Sequence, residues 1–165
     1  MRDIRFVAVH RGGQLTKDNH KKLIGWAVSC SEHVLPLFDG TIDMPLIHAI
    51  TVAKEWEKGN STTGEAIKSS REVHALAKKL TNPVSIAVAR SIGHAVATAH
   101  MADHSLGGAL YALQAVKLMG KSLDAEREWQ LNELKKLPPE IVDLVLATMK
   151  VKEKGLKIQQ KNAVI

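Results

Sequence analysis

The chain has a single cysteine, Cys30, which excludes an intramolecular disulfide and any zinc site built wholly of cysteine. Aromatic residues make up only 4%, which argues against a β-sandwich, a fold that draws on aromatic and β-branched side chains. No apolar run approaches the ~20 residues needed to cross a bilayer. The opening "MRDIRFVAVHRGG" lacks the long apolar core of a secretory signal. These absences point to a cytoplasmic protein with no membrane partner.

What the chain does have is alanine, regular apolar spacing and positive charge. Its 165 residues, 45% hydrophobic and 24% charged, suit one globular domain with a substantial core. The formal net charge of +6 permits attraction to an acidic protein or to nucleic acid. Much of that excess lies in "MKVKEKGLKIQQK". We expect a helical domain over 1–149 and a lysine-rich, solvated tail over 150–165.

The apolar pattern predicts an all-α, irregular antiparallel bundle of six to seven helices. Residues 4–9, "IRFVAV", are the one stretch compatible with a strand, an extended arm or a helical turn. The first helix follows an N-cap at Thr16, with a stripe through Leu23, Trp26, Ala27, Cys30, Val34 and Leu37. The second starts at Asp43–Pro45 and ends at Gly59; the third opens at Thr62 or Thr63. Asn82 and Pro83 open a segment reaching Met101 that is apolar or small nearly all round, the mark of a buried central helix. Its small residues would suit either the interior of one chain or the interface of a homo-oligomer. A helix stopped at Gly120, one capped by Ser122 and a short last one from Pro138–Pro139 complete the set.

The stretch "GHAVATAHMADHSLGG" holds the candidate polar cluster, His94, His100, Asp103 and His104. His100 and His104 have the i, i+4 spacing that can share a metal ion on a helix, and "HMADH" is like an inverted zinc-protease motif with aspartate in place of glutamate. On one straight helix, however, His94 would lie about 120° from His100 and about 80° from His104, and roughly 9 and 15 Å away along the axis. A single helix cannot bring all three to one ion. A third ligand would have to be His10, His20, His33, His48, His74 or a carboxylate. Asp103 and Ser105 are good N-caps and Gly107 and Gly108 weaken a continuous helix, so a break near 103–105 is expected. No cofactor is implied, and any metal would use His100 and His104. Arg11, Gly12 and Gly13 form a weaker candidate, an anion-binding turn before the first helix. Cys30 and His33 share a helix face, but a buried cysteine is the simpler reading. Trp26, Trp56 and Trp129 read as core anchors.

In order along the chain, "RDIRFVAVHRGGQLT", "EHVLPLF", "VAKEWEKG", "NPVSIAVARSIGHAVATAHMADHSLGGALYALQAVK", "DAEREWQ" and "LPPEIVDLVL" resemble a family of small bacterial and archaeal helical proteins, the Imm-five-like family labelled putative immunity proteins. The resemblance spans about residues 2–148 and is most specific over 82–117. It implies a compact cytoplasmic protein that neutralises a toxin by binding it, and it brings no catalytic residues with it. Three functions follow in order: an immunity-type, non-enzymatic binding protein; a metal-dependent hydrolase using His100, Asp103 and His104; and a basic nucleic-acid binder.

Overall fold

The computed structural model describes residues 2–156. Among the described residues seven α-helices succeed one another: α1 (Lys17–Val34), α2 (Met44–Glu57), α3 (Thr63–Ala77), α4 (Pro83–Ala97), α5 (His104–Leu118), α6 (Leu123–Leu134) and α7 (Pro139–Leu156). The expected all-α bundle is what the chain forms.

Local chemistry sets most boundaries. Thr16, Asn82 and Ser122 accept hydrogen bonds from the backbone N–H three residues on, opening α1, α4 and α6. At α3 the exchange is mutual: the Thr62 hydroxyl accepts from the Glu65 N–H while the Glu65 carboxylate accepts from the Thr62 N–H. Gly59 and Gly120 adopt left-handed conformations just past α2 and α5. After α1 the chain tightens into a 3-10 turn at Leu35–Leu37, where Pro36 forbids continuation.

The central element is α4. Between Ser85 and Ala99 no residue is exposed; only Ile86, Arg90 and His94 are partly covered. It packs against α1, α2, α3 and α5, so its small residues serve the interior of one chain. Between Ser85 and Ala99 its partly open face is the stripe Ile86, Arg90 and His94, so a homo-oligomer contact through this helix would be limited to that stripe. Close approach is visible at Gly108 on α5, where a Cβ would lie 3.3 Å from the Ala27 Cβ and 3.6 Å from the Ala95 Cβ. At the same junction Ser31 donates to Ser91 Oγ (2.7 Å), and Ser91 donates to the Gly108 carbonyl (2.7 Å). These bonds tie three helices together and leave the hydroxyls satisfied in a buried setting. Around them Leu23, Ile92, Leu106 and Leu113 are essentially sealed from solvent, each contributing on the order of 1.5–3 kcal/mol.

The outer helices are pinned by polar side chains. Trp26 Nε1 donates to the Gln130 carbonyl (3.1 Å), and Gln130 Nε2 donates to the Ala109 carbonyl (2.9 Å). Trp129 lies flat on His33, ring centroids 3.6 Å apart, and His33 Nδ1 pairs with Glu126 (2.8 Å). His33 is thus committed to α6, and Cys30 is a buried thiol whose pKa burial pushes well up, the opposite of an activated thiolate. The last helix is longer than expected: α7 continues past Met149 to Leu156, and Glu153, buried, pairs with Arg127. The remainder of the lysine-rich tail, 157–165, lies outside the described residues.

The N-terminal arm is two 3-10 turns, Ile4–Phe6 and Val9–Arg11, rather than a strand. One isolated bridge joins Ala8 to Leu15, which buries Phe6 and Leu15 against the bundle. Among the described residues no helix is long and apolar enough to cross a membrane.

Candidate functional site

The sequence places His94 and His104 ten residues apart; the fold turns them toward each other. α4 ends at Ala97, residues 98–103 form the turn, and α5 begins at His104, so the expected break is present. The Thr98 hydroxyl donates to the His94 carbonyl (3.1 Å) and the Ser105 hydroxyl to the Ala102 carbonyl (2.7 Å), closing the corner locally. The chain then runs back along α4, and His94 Nδ1 meets His104 Nδ1 at 3.1 Å.

Further side chains extend this pair into a row. His74 from α3 stands edge-on to His94, centroids 5.3 Å apart, and Arg90 Nη1 donates to His74 Nδ1 at 2.7 Å. Tyr111 stacks on His94 with centroids 5.2 Å apart, and the His100 ring lies 5.4 Å from that of His104. A cavity of about 470 Å³, bordered by His94, Asp103, His104, Tyr111 and Lys152, opens beside them.

Two glycines make room for the row. A Cβ on Gly93 would fall 2.7 Å from His74 Cε1, and one on Gly107 would fall 2.6 Å from His94 Cγ and Nδ1. The sequence signal for the missing partners was therefore present but cryptic: glycines inside two helices, where they cost about 1 kcal/mol relative to alanine. Gly107→Ala is expected to lower stability by about 1–2 kcal/mol, overpacking outweighing the gain in helix propensity. In a His94→Ala background the same change is expected to stabilise. Urea denaturation of the four proteins reads this cycle, and additive effects would rule out the contact as its cause.

Asp103 occupies the N-cap position of α5 with helical backbone angles, and its side chain caps nothing. Its Oδ2 instead lies 3.6 Å from Arg2 Nε, while Arg2 Nη2 donates to Met101 Sδ (3.2 Å). Asp103 Oδ1 and His100 Nδ1 are buried atoms without a hydrogen-bond partner among the described residues.

Burial lowers the pKa of every histidine in the row. Burial, followed by the nearby charges of His104 and His74, lowers the His94 pKa to about 3. Burial is also the leading cause that lowers His20, His74, His100 and His104. A general base works best with a pKa near the operating pH, and these groups are displaced from it. No hydrogen bond joins a histidine ring to a hydroxyl or thiol among the described residues, so no Ser–His or Cys–His dyad is formed there. Nor does any group of three or more His, Cys, Asp or Glu side chains there have an arrangement that would hold a metal ion. His100 and His104, the two residues any metal would use, lie with ring centroids 5.4 Å apart, and His104 Nδ1 faces His94 Nδ1.

The Arg11–Gly12–Gly13 turn has another structural logic. Gly12 is left-handed, with φ of 85°. Gly13 lets the backbone pass Val7, where a Cβ would fall 1.9 Å from the carbonyl oxygen. Arg11 is the member of the three that faces a cavity.

The model of the family described as Imm-5 like putative immunity protein matches residues 13–137. The chain belongs to this family. The matched segment includes α1 to α6 and hence the whole histidine row; it leaves out Arg2, the N-terminal arm and α7. It is narrower than the 2–148 suggested by the sequence resemblance. No curated protein and no solved structure matches the chain.

Proposed function

We propose that this Imm-5 like protein neutralises a toxin by binding it, without chemistry of its own. The family match over 13–137 carries this reading. Its net charge of +6 suits an acidic partner surface. The α4–α5 corner is the contact region: His100, Asp103 and His104 are all partly exposed there, beside Arg2. A preformed, neutral histidine row supports binding better than proton transfer, because its members resist taking up a proton near neutral pH. The protein would act in the cytoplasm, before the toxin reaches its target.

The test is co-expression with toxin candidates encoded beside its gene. Growth rescue together with a co-purifying complex is the expected result. Arg2→Glu, verified as folded by its melting curve, is expected to weaken that complex by about tenfold or more, the range of a mispaired charge facing an acidic surface. Failure of every neighbouring candidate to be rescued or bound would overturn the reading. Rescue without a complex would instead point to an enzymatic activity.

A further inference from the structure

A cavity of about 590 Å³ lies between the N-terminal arm, the start of α1, the end of α2, the start of α3 and the corner residues 99–102. That volume falls in the usual range of about 300–1,000 Å³ for small-molecule sites. Its apolar wall comes from residues such as Phe6, Leu15, Trp56 and Ala99, and its polar lining includes Arg2, His10, Arg11 and Lys17. No carboxylate is among the lining residues.

Two of these cations, Arg11 and Lys17, are uncompensated by the protein, whereas Arg2 pairs with Asp103. The nearby carboxylates are engaged elsewhere: Asp3 with Arg5, Asp18 with Lys22, Asp103 with Arg2, and Glu65 with Ser61 and the Thr62 N–H. Arg11 and Lys17 have no ion pair or side-chain hydrogen bond among the described residues. Two long helices also begin at this cavity. Lys17 is the first residue of α1 and Thr63 the first of α3, and both line it. The start of α1 adds partial positive charge, while at α3 the Glu65 carboxylate of the capping box offsets it. The crowding reaches the neighbours: after burial, the charge of Arg11 helps to hold both His20 and His100 below their ordinary pKa.

We propose that this cavity binds a small phosphate monoester, its phosphate held between Arg11 and Lys17 at the start of α1 and its organic part against the apolar wall. A phosphate carries close to two negative charges at neutral pH and so matches two free cations better than a single carboxylate does. The cavity is also larger than a bare phosphate requires. Arg2 and His100 border both this cavity and the corner, but the phosphate site rests on Arg11 and Lys17, which the toxin contact does not use.

The experiment is calorimetric titration of the full chain, with inorganic phosphate, ribose 5-phosphate, adenosine monophosphate and uncharged ribose as probes. Saturable binding of at least one phosphate ester, tighter than inorganic phosphate and absent for ribose, is the expected result. Arg11→Gln and Lys17→Gln should each weaken it about tenfold or more with unchanged melting temperature, whereas Arg5→Gln, at an engaged exposed arginine, should leave it unchanged. Absence of binding at millimolar ester, or binding untouched by both lining substitutions, would overturn the proposal. So would preferential binding of an acidic peptide, which would make the cavity a protein contact. Toxin rescue is read separately, so failure of either proposal leaves the other identifiable.

Discussion

Lowering the pH from 7.5 to 5 is expected to remove about 2 kcal/mol of folding stability through His94 alone. In the fold His94 has a pKa of about 3, against an ordinary value of 6.5. Below pH 6.5 an unfolded chain takes up a proton that the folded chain refuses. The stability from this group is therefore complete above about pH 6.5 and is lost progressively as the pH falls toward 3. His20, His74, His100 and His104, all held low chiefly by burial, add loss of the same sign. Glu57, raised by burial, opposes it. Asp3 and Glu65, lowered chiefly by hydrogen bonds from Arg5 and Ser61, titrate below this window.

The structural event is definite. One proton serves the Nδ1–Nδ1 contact of His94 and His104, since two protonated rings would point N–H groups at each other. Denaturant melts between pH 8 and 5 should show the slope, with a fall in melting temperature of very roughly 4–8 °C for a domain of this size. His94→Gln should flatten it, whatever it does to stability at neutral pH. A flat profile in the parent protein, or an unchanged slope in the variant, would refute the assignment.

The second large effect is expected at Gly13. An alanine Cβ there would lie 1.9 Å from the Val7 carbonyl oxygen and 2.4 Å from the carbonyl carbon. Those are backbone atoms and cannot rotate away as a side chain would. The same Val7 oxygen accepts from the Leu15 N–H (2.9 Å), and the Gly13 N–H donates to the Ala8 carbonyl (3.0 Å). Relieving the clash means opening the arm, and with it exposing Phe6 and Leu15, now 3% and 2% accessible. We expect Gly13→Ala to cost about 3 kcal/mol, at the upper end of overpacking, and to reduce hydrogen-exchange protection of the Leu15 amide roughly a hundredfold. Gly12→Ala should behave differently. Nothing lies within 4 Å of its added Cβ, so only the left-handed conformation is penalised, by about 1 kcal/mol. Equal effects at the two glycines would contradict this division of roles.

The two glycines show where sequence reading succeeds and where it stops. "RGG" identified a turn beside a positive charge. It could not reveal that Gly12 is required by its own φ and Gly13 by a residue six positions earlier. The histidines divide in the same way. The corner near residue 103 was legible, because capping residues and paired glycines act over one helical turn. The partner of His94 was not, because the reversal places it against His104 across the corner and against His74 from another helix. Asp103 and Ser105 both suit an N-cap; Asp103 takes the position, but Arg2, 101 positions earlier, draws its carboxylate away.

The sequence by itself determined the all-α class, the starts of α1, α2, α3, α4 and α6, the buried central helix and the family. Caps, prolines, left-handed glycines and apolar spacing act within three or four residues and need no tertiary partner. The tertiary structure decided that the small-residue helix packs against four others, that four histidines stand in a row with pKa values lowered by burial, and that Arg11 and Lys17 share a cavity free of carboxylates. Those properties depend on side chains brought together from distant positions, where packing, burial and competition for ion-pair partners set the outcome.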